Sequence, residues 1–311
     1  MRYLLTGGKG FLGSYIADHL ASSGQEVTIA TRNPTGDHQI IADFERDILE
    51  IPNKTEGFDF VVHAAGKAHI VPKTEEEKKA FFKVNVDGTL LLLSQLEKLP
   101  QLPLGIVFIS SVGVYGRNEG KEIEETEPLA SMEPYGLSKI QAEQILLDWG
   151  LKNKVPIGIA RLPLIVGKNA PGNLGSMLKG IKTGRYFRLG KGDARKSMVW
   201  AGDVAAIIPK LAEKGGTYNL TDGVHPCFAD LEDAITDSLK LKHVKTMPMA
   251  LAWLAGLAGT TIQKVIDKRM PISLDMVNKI TQSLTFSDKK ARKELGWNPT
   301  PVLTHIKDIV V

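Results

Sequence analysis

The stretch "TGGKGFLG" (Thr6–Gly13) lies between two segments of different periodicity near the start of the chain. The preceding "MRYLL" (1–5) is a short apolar run typical of a buried strand. The following "SYIADHLASSG" (14–24) has apolar residues at helical spacing and ends at Gly24. The stretch therefore predicts a glycine-rich turn that leads from a strand into a helix.

The glycines of this turn have the spacing of a dinucleotide-binding fingerprint. Gly8-x-Gly10-x-x-Gly13 follows a predicted strand and opens a predicted helix, which is the context that the fingerprint requires. Glycine lets a ligand approach the backbone closely, and the N–H groups at a helix N-terminus attract phosphate. The turn therefore predicts a site for the pyrophosphate that NAD and NADP share.

Strand and helix patterns alternate through the first half of the chain. Helical patterns cover 78–99 and 138–152, and strand patterns cover 26–31, 59–66, 104–111 and part of 155–167. Such alternation predicts an α/β fold, a Rossmann-type doubly wound parallel sheet with helices on both faces. Ligands of such sheets bind at the carboxyl ends of the strands.

The alternation changes after about Gly167, which predicts two lobes. We expect a dinucleotide-binding domain made of residues 1–166 and about 197–223, because the second piece returns to strand and helix patterns. We expect residues of about 167–196 and 224–311 to form a second, smaller, mainly helical substrate lobe.

Composition indicates a globular protein. The chain has 311 residues, of which 43% are hydrophobic and 24% charged, with a net charge of +4. It has no block of Lys and Arg and no interleaving of basic with aromatic residues, so we expect no nucleic-acid partner. The single cysteine, Cys227, excludes an internal disulfide and a cysteine-based metal site.

The most apolar stretch is "MPMALAWLAGLAG" (247–259), which is too short to span a bilayer and contains Pro248. It predicts a buried or lobe-capping helix. Because the chain enters a strand directly, with no signal peptide, we expect a cytoplasmic protein with no membrane partner.

Two histidines lie near the end of the third predicted strand, His63 within it and His69 shortly after it. Neither has a carboxylate at a recognisable ligand spacing, so we predict no metal site. We expect His63 to be buried at the end of the strand and His69 to lie where it can contact substrate.

A proton-transfer unit is indicated by "EPYGLSK", which places Tyr135 and Lys139 on one helix face. A neighbouring ammonium favours the phenolate and lowers the pKa of tyrosine from its usual value of about 10. Ser111 precedes this pair at the end of a predicted strand, so the three side chains can converge beside a nicotinamide.

The order of several motifs resembles that of the extended short-chain dehydrogenases/reductases, and within them the nucleotide-sugar 4-epimerases and 4-ketosugar reductases. These motifs are "TGGKGFLG", "HAAG", "VNVDGT", "SSVGVYG", "YGLSK", "GDVA" and the C-terminal "FSDKKARKELGWNPTP". The resemblance extends over nearly the whole chain. It implies that Tyr135 is the acid/base on a sugar hydroxyl or ketone, that Lys139 holds the nicotinamide ribose, and that Ser111 bonds the reacting oxygen.

The resemblance also implies the cofactor contacts. The pyrophosphate would be contacted by the glycine turn and the first turn of its helix, namely Gly7, Gly10, Phe11, Leu12 and Gly13. In "IIADF", Asp43 would contact the adenine with Phe44 beside it. The cofactor would be lined by Ala64, Ala65 and Gly66, and it would also contact Tyr135 and Lys139.

For the substrate, the resemblance implies a nucleotide-diphosphate sugar, most readily a UDP-sugar. Asn173 and Leu174 in "GKNAPGNLG" resemble the family's contact to the diphosphate. Either Arg195 or Lys196 in "ARKS" would bind the pyrophosphate, and the spacing to Asp203 leaves the choice open. Dimers are common in the family, which makes a homodimer a candidate assembly.

The choice between NAD and NADP depends on the residue after the second strand. NAD enzymes place Asp or Glu there for the ribose 2′-hydroxyl, whereas this chain has Thr31 followed by Arg32. A guanidinium can hold a 2′-phosphate in a bidentate way. We therefore predict NADP in preference to NAD.

Two departures from the family narrow the chemistry. Ser111 is followed by Val112 and Gly113, in place of the Asp and Glu of the 4,6-dehydratases, and Cys227 lies in the wrong place for a 3,5-epimerase. Reaction at one carbinol or ketone remains, at sugar C4, either as a 4-epimerase or as a 4-ketosugar reductase. Two alternatives are a reductase of a non-nucleotide carbonyl, such as a steroid or flavonoid ketone, and a catalytically silent dinucleotide-binding regulator.

Overall fold

The computed structural model of the chain describes residues 1–68, 71–266 and 274–310. Its strands are β1 (Arg2–Thr6), β2 (Glu26–Thr31), β3 (Gln39–Asp43), β4 (Ile48–Leu49), β5 (Phe60–His63), β6 (Gly105–Ser111), β7 (Gly120–Ile123), β8 (Ile157–Leu162), β9 (Leu164–Val166), β10 (Phe187–Leu189), β11 (Met198–Trp200), β12 (Gly216–Asn219), β13 (Lys245–Met247) and β14 (Leu284–Phe286).

The helices between these strands are α1 (Phe11–Ser22), α2 (Glu75–Phe82), α3 (Gly88–Leu96), α4 (Pro134–Asn153), α5 (Gly172–Lys182), α6 (Ala201–Lys214), α7 (Phe228–Ser238), α8 (Met249–Ile266), α9 (Leu274–Thr281), α10 (Lys289–Leu295) and α11 (Ile306–Val310). A π-helical turn at Lys83–Asp87 joins α2 to α3, so the helix predicted over 78–99 is divided.

The main sheet has the strand order β12-β8-β6-β5-β1-β2-β3-β4, and β4 is its one antiparallel member among the described residues. The chain runs outward from β1 through β2 and β3, and then crosses to β5 on the other side of β1. The boundary between β1 and β5 is therefore the topological switch point, where ligands of doubly wound sheets bind. The predicted α/β fold is confirmed.

Helices cover both faces of this sheet, because its central strands are apolar on both sides. On one face, Ile16 and Leu20 of α1 pack with Val204 and Ile208 of α6 against the sheet. On the other face, α3 and α4 contribute Leu92, Leu93, Leu96, Ala142 and Leu146 to a second core. The sheet is thereby buried and its strand ends are held in fixed positions.

A smaller core lies outside the main sheet. Leu174 and Leu178 of α5, Leu231 and Ile235 of α7, and Ile309 of α11 form it. This core supports the proposal of a second lobe built from two separate pieces of chain.

The last part of the chain returns to the first lobe. Strand β14 pairs with β7, and Leu295 and Trp297 pack into the core beneath α1 and α6. The Trp297 indole donates a hydrogen bond to the Thr221 carbonyl at 2.9 Å. The division of the chain at 223/224 stays a prediction, and residues 284–297 contact the first lobe.

Candidate active site

The glycine turn is compressed against the neighbouring strand end. Gly7 has a φ of +72°, and a Cβ there would lie 2.6 Å from the Ala65 nitrogen. A Cβ on Gly13 would lie 2.0 Å from the Gly7 carbonyl oxygen. Neither position has room for a side chain, so these glycines let β1, β5 and α1 meet at the switch point.

The N-terminus of α1 opens toward this switch point. Gly10 is the N-cap residue, and its carbonyl accepts the first helical hydrogen bond, from the Ser14 N–H at 2.9 Å. The N–H groups of Phe11, Leu12 and Gly13 precede that bond and lie outside the helical ladder. The geometry suits the phosphate contact that the sequence predicts.

His63 is fixed at the end of β5 by two hydroxyl groups. The Thr89 hydroxyl donates to the Asn85 carbonyl at 2.7 Å, so it accepts from Nε2–H of His63, 3.1 Å away. The other ring nitrogen, Nδ1, then accepts from the Thr6 hydroxyl at 2.8 Å. That hydroxyl oxygen accepts from the Ala65 N–H at 3.1 Å. The ring therefore ties the ends of β1 and β5 together.

This environment keeps His63 neutral. Burial, with a smaller contribution from the charge of Lys139, lowers the pKa of His63 to about 3. Both ring nitrogens are engaged in hydrogen bonds, so His63 is a structural residue rather than a metal ligand. Within residues 1–68, 71–266 and 274–310, no cluster of His, Cys, Asp and Glu could hold a metal ion. His69 lies outside the described residues.

Asp43 and Phe44 stand beside the switch point at the end of β3. A carboxylate oxygen of Asp43 accepts from the Glu45 N–H at 3.1 Å. The Phe44 ring is buried, lies 5.7 Å from the ring of His63 and packs against Gly88. Phe44 can therefore meet a cofactor only through its backbone, because its side chain belongs to the core.

Arg32 is exposed directly after the end of β2. Its charge helps to lower the pKa of the Glu45 carboxyl, although Lys67, whose ammonium donates to Glu45 at 2.9 Å, has the larger effect. In the part of the chain that the structure describes, no hydrogen bond or ion pair holds the Arg32 guanidinium. Arg32 is therefore free to meet a ligand.

Ser111, Tyr135 and Lys139 converge where β6 ends and α4 begins. The Ser111 hydroxyl accepts from the Gly113 N–H at 3.1 Å. A Cβ on Gly113 would lie 3.4 Å from the Ser111 hydroxyl oxygen and 3.7 Å from the Tyr135 ring, so these two side chains adjoin the same point. Lys139 donates to the Ile109 carbonyl at 2.9 Å. A Cβ on Gly66 would lie 3.1 Å from the Lys139 ammonium, so Lys139 adjoins the predicted cofactor loop.

The electrostatics of the pair differ from the sequence expectation. Burial raises the pKa of Tyr135, because it disfavours the phenolate, and the neighbouring Ser111 hydroxyl opposes that shift. Burial lowers the pKa of Lys139 to about 8, and the carboxylate of Glu143 opposes that shift. The ammonium of Lys139 lies over the Phe108 ring, 4.4 Å from its centroid.

A second group of residues, which the sequence analysis missed, connects the elements that carry this site through hydrogen bonds. The Asn85 amide donates to the Ser138 hydroxyl at 2.9 Å and to the Lys67 carbonyl at 3.2 Å, and its oxygen accepts from the Lys67 N–H at 2.8 Å. The Ser138 hydroxyl donates to the Tyr135 carbonyl at 2.8 Å. Asn85 thereby joins the π-helical turn to the start of α4.

Glu143 lies one helical turn beyond Lys139, and it too was missed. Its carboxylate accepts from the Ser110 hydroxyl at 2.5 Å and from Arg161, with the shortest guanidinium contact 2.7 Å long. Arg161 also donates to the Tyr115 hydroxyl at 3.1 Å. These four side chains are largely buried, so the Glu143–Arg161 pair is shielded from water.

The residues predicted for the diphosphate lie in the smaller lobe. Asn173 is exposed on the first turn of α5, whereas the side chain of Leu174 is buried in the core of that lobe. Leu174 can therefore contribute only its backbone to a ligand. Among the described contacts, no hydrogen bond joins Asn173 to Lys196 or to Tyr135.

Arg195 and Lys196 lie side by side but differ in environment. The Arg195 guanidinium is exposed and donates to the His225 carbonyl at 3.1 Å. Lys196 is half-buried, and burial lowers its pKa to about 8. No carboxylate within the described ranges pairs with the Lys196 ammonium, which leaves it the stronger candidate for an anion.

A doubly wound sheet with a glycine turn at the switch point and a Ser, Tyr and Lys group beside it defines a dinucleotide-dependent enzyme. The model of the NAD-dependent epimerase/dehydratase family matches residues 3–221, and the chain belongs to that family. The predicted class of cofactor, a nicotinamide dinucleotide, and the predicted resemblance to nucleotide-sugar epimerases are both confirmed.

Two relatives and one solved structure show the range of similar proteins. The chain is 29% identical to an Escherichia coli O157:H7 N-acetyl-alpha-D-glucosaminyl-diphospho-ditrans,octacis-undecaprenol 4-epimerase, over 79% of this chain and 74% of the relative. It is 29% identical to a decarboxylating sterol-4-alpha-carboxylate 3-dehydrogenase of Dictyostelium discoideum, over 94% of each chain. The Thermotoga maritima UDP-glucose 4-epimerase, solved with UDP-glucose, superposes with a TM-score of 0.76 at 20% identity, covering 100% of this chain and 97% of the other. That last similarity shows the fold.

Proposed function

We propose that this chain is an NAD(P)-dependent oxidoreductase or epimerase that acts at a hexose carbon, C4, of a nucleotide-diphosphate sugar. The observation that carries the proposal is the convergence of Ser111, Tyr135 and Lys139 beside the glycine turn at the carboxyl end of the sheet. A relative that acts on a diphospho-sugar at C4 supports the choice of substrate class.

Each residue of this group has a distinct task in the proposed reaction. The Ser111 hydroxyl holds the reacting sugar oxygen, and the Tyr135 hydroxyl takes a proton from a C4 alcohol or gives one to a C4 ketone. The Lys139 ammonium supports the phenolate while the proton is away. A bound nicotinamide supplies hydride transfer at the same carbon.

The cofactor is proposed to rest on the α1 N-terminus, with the glycine turn against its pyrophosphate and Asp43 near its adenine. We favour NADP, because Arg32 is exposed, carries no ion pair in the described part of the chain, and follows β2 where NAD enzymes have an acid.

This preference predicts the outcome of a direct titration. Arg32→Ala is expected to weaken NADPH binding roughly tenfold or more, since one charge-assisted bidentate contact is lost, and to leave NADH binding unchanged. Lys54→Ala, a change of an exposed lysine elsewhere on this lobe, is the control. Tighter binding of NADH than NADPH by the unaltered protein would contradict the preference and favour a 4-epimerase over a 4-reductase.

Two alternative substrate classes differ in the molecule that contains the reacting carbon. The sterol dehydrogenase relative supports a carbonyl substrate without a nucleotide, such as a steroid ketone. The undecaprenol relative supports a sugar whose diphosphate is joined to a lipid. A catalytically silent regulator is disfavoured, because Ser111, Tyr135 and Lys139 are all present at the junction of β6 and α4.

The test is an assay of purified protein with UDP-hexoses plus NAD and with UDP-4-ketohexoses plus NADPH, using chromatography to detect the epimer or alcohol. We expect turnover in one arm and thermal protection by UDP. Turnover of a sterol ketone without protection by UDP would overturn the nucleotide-sugar proposal.

A further inference from the structure

The outer side of α8 exposes three large apolar side chains, Leu251, Trp253 and Leu254, which we call the α8 face. Their exposed fractions are 56%, 44% and 64%. The sequence predicted a buried or lobe-capping helix here, and burial is wrong for this side of it. Large apolar side chains grouped in this way on a surface mark an interaction site.

The packing of the opposite side of α8 explains why the α8 face is exposed. Ala252 and Gly256 are buried, and Gly256 packs against Leu274 and Val277 of α9. Leu254 lies half a turn away from both, because successive residues of an α-helix are about 100° apart. The helix therefore has two apolar sides, of which α9 covers one.

The charges of the chain segment that contains the α8 face have one sign, and Asp233 of α7 pairs with His243 of this segment at 3.5 Å. From Ser238 to Ile266 the chain contains no Asp or Glu, and it contains four lysines, Lys240, Lys242, Lys245 and Lys264. The first three are exposed in the segment that leads into α8. Such a segment complements a negatively charged surface.

An aromatic side chain accompanies these lysines on the neighbouring strand. Phe187 of β10 is paired in register with Lys245 of β13, and both are exposed. An exposed ring beside a lysine, followed by a helix with Trp and Leu on its outer face, is the composition of interfacial membrane-binding segments.

We propose that the α8 face is a membrane-docking surface that binds anionic phospholipid bilayers. Leu251, Trp253 and Leu254 enter the boundary between headgroups and acyl chains, and Lys240, Lys242 and Lys245 contact lipid phosphates. None of the helices in the described ranges has the length and apolarity to cross a bilayer, so the proposal concerns adsorption to the surface. It replaces the expectation, made from the sequence, that the protein has no membrane partner.

Sedimentation of the full-length protein with vesicles tests this proposal independently of any catalytic activity. We expect binding to vesicles of phosphatidylglycerol and phosphatidylcholine, weaker binding at high salt, and little binding to phosphatidylcholine alone. The double variant Leu251→Ser with Leu254→Ser should lower the vesicle partition coefficient roughly tenfold or more, because two apolar side chains no longer enter the lipid. Leu151→Ser, which changes an apolar residue of α4 that is 84% exposed, should leave binding unchanged.

Tryptophan fluorescence supplies a second measurement, which does not depend on a serine variant folding. Vesicles should shift the emission to shorter wavelength in the unaltered protein, and the shift should vanish in Trp253→Phe while sedimentation persists. Vesicle binding that the double variant retains would overturn the proposal. The proposal would also be overturned by a protein that does not bind vesicles and forms a dimer, seen by light scattering, that dissociates in the double variant. In that case a second copy of the chain covers the α8 face.

Discussion

Lys139 holds an ammonium group in surroundings that disfavour its charge. It is 4% exposed, and burial brings its pKa to about 8, whereas Glu143 on the next helical turn favours the charged form. The proposed reaction needs the cation beside Tyr135. The kcat/KM of the unaltered protein should therefore fall as the pH rises through about 8, where Lys139 loses its proton.

Replacing the Glu143 carboxylate should shift the alkaline limb of the pH–rate profile, which is the pH range in which kcat/KM falls. Glu143→Gln removes a negative charge that favours the ammonium, so the pKa of Lys139 falls and activity is lost at lower pH, by about one unit. A pH–rate profile of kcat/KM measures the shift. Ser110→Ala, which removes a hydrogen bond to Glu143 and leaves its charge, is the control.

Because Glu143→Gln leaves Arg161 buried without a counter-ion, it also costs about 3 kcal/mol or more of stability. Glu143→Gln combined with Arg161→Met removes both charges and should restore much of that stability. An unshifted alkaline limb in the Glu143→Gln single variant, measured where that variant is folded, would contradict a role for Glu143 in setting the charge of Lys139.

The hydroxyl of Tyr135 carries the proton in the proposed reaction. Tyr135→Phe should lower kcat at least about a hundredfold, the low end of what a positioned acid or base contributes, and leave cofactor affinity nearly intact. Tyr3→Phe, which alters a buried tyrosine at the far end of β1, is the control. Turnover equal to that of the unaltered protein would remove Tyr135 from the mechanism.

At the scale of elements, the turn between β1 and α1 depends on close contacts between backbone atoms of its glycines. Gly13→Ala would place its Cβ 2.0 Å from the Gly7 carbonyl oxygen, so α1 must move away from the switch point. We expect a loss of about 1–3 kcal/mol in the free energy of unfolding and a clear loss of NADPH affinity.

Denaturation and cofactor titration measure these two effects. Gly36→Ala is the matched control, because its Cβ would meet one atom, 4.0 Å away, at an ordinary φ. Full cofactor affinity in Gly13→Ala would show that the close approach of α1 is not needed for binding.

The elements that could be predicted from the sequence are those fixed by local pattern. The strand predicted at 26–31 matches β2 in both bounds, and the return of 197–223 to the sheet is seen in α6 and β12. The pairing of β7 with β14 was not predicted, since its partners are far apart in the chain and each is short. The π-helical turn was also missed, because it is accompanied by a hydrogen bond of Asn85 to Ser138 on another helix, which local sequence does not indicate.

At the scale of the molecule, the two proposed lobes should bind two different parts of the ligands. Asn173→Ala with Lys196→Ala is expected to weaken UDP binding roughly tenfold or more and to leave NADPH binding nearly unchanged, because both side chains lie outside the cofactor turn. Asn173→Ala with Arg195→Ala should have the smaller effect, since the Arg195 guanidinium is occupied by the His225 carbonyl. Calorimetry that shows unaltered UDP affinity in both double variants would contradict this placement of the diphosphate.

The site could be predicted where one short motif carries it, as with Tyr135 and Lys139. Arg161 shows why the rest could not be predicted. It stands in an apolar strand pattern, and its partner Glu143 is on a separate helix, α4, whose packing against β8 the local sequence does not contain. The choice between Arg195 and Lys196 likewise needed the burial of each, which the spacing of "ARKS" does not contain.

The core that joins both ends of the chain affects how the protein is made. Leu5 and Ile16 share one apolar cluster with Leu295 and Trp297, out of 311 residues. On the ribosome, β1 and α1 are therefore synthesised long before residues 295–297, which complete their packing. A domain whose beginning emerges first would usually fold first, but here part of the apolar surface stays uncovered until residues 295–297 have been synthesised. We therefore expect a chain truncated before Leu295 to expose this surface and to be a better substrate for chaperones and proteases.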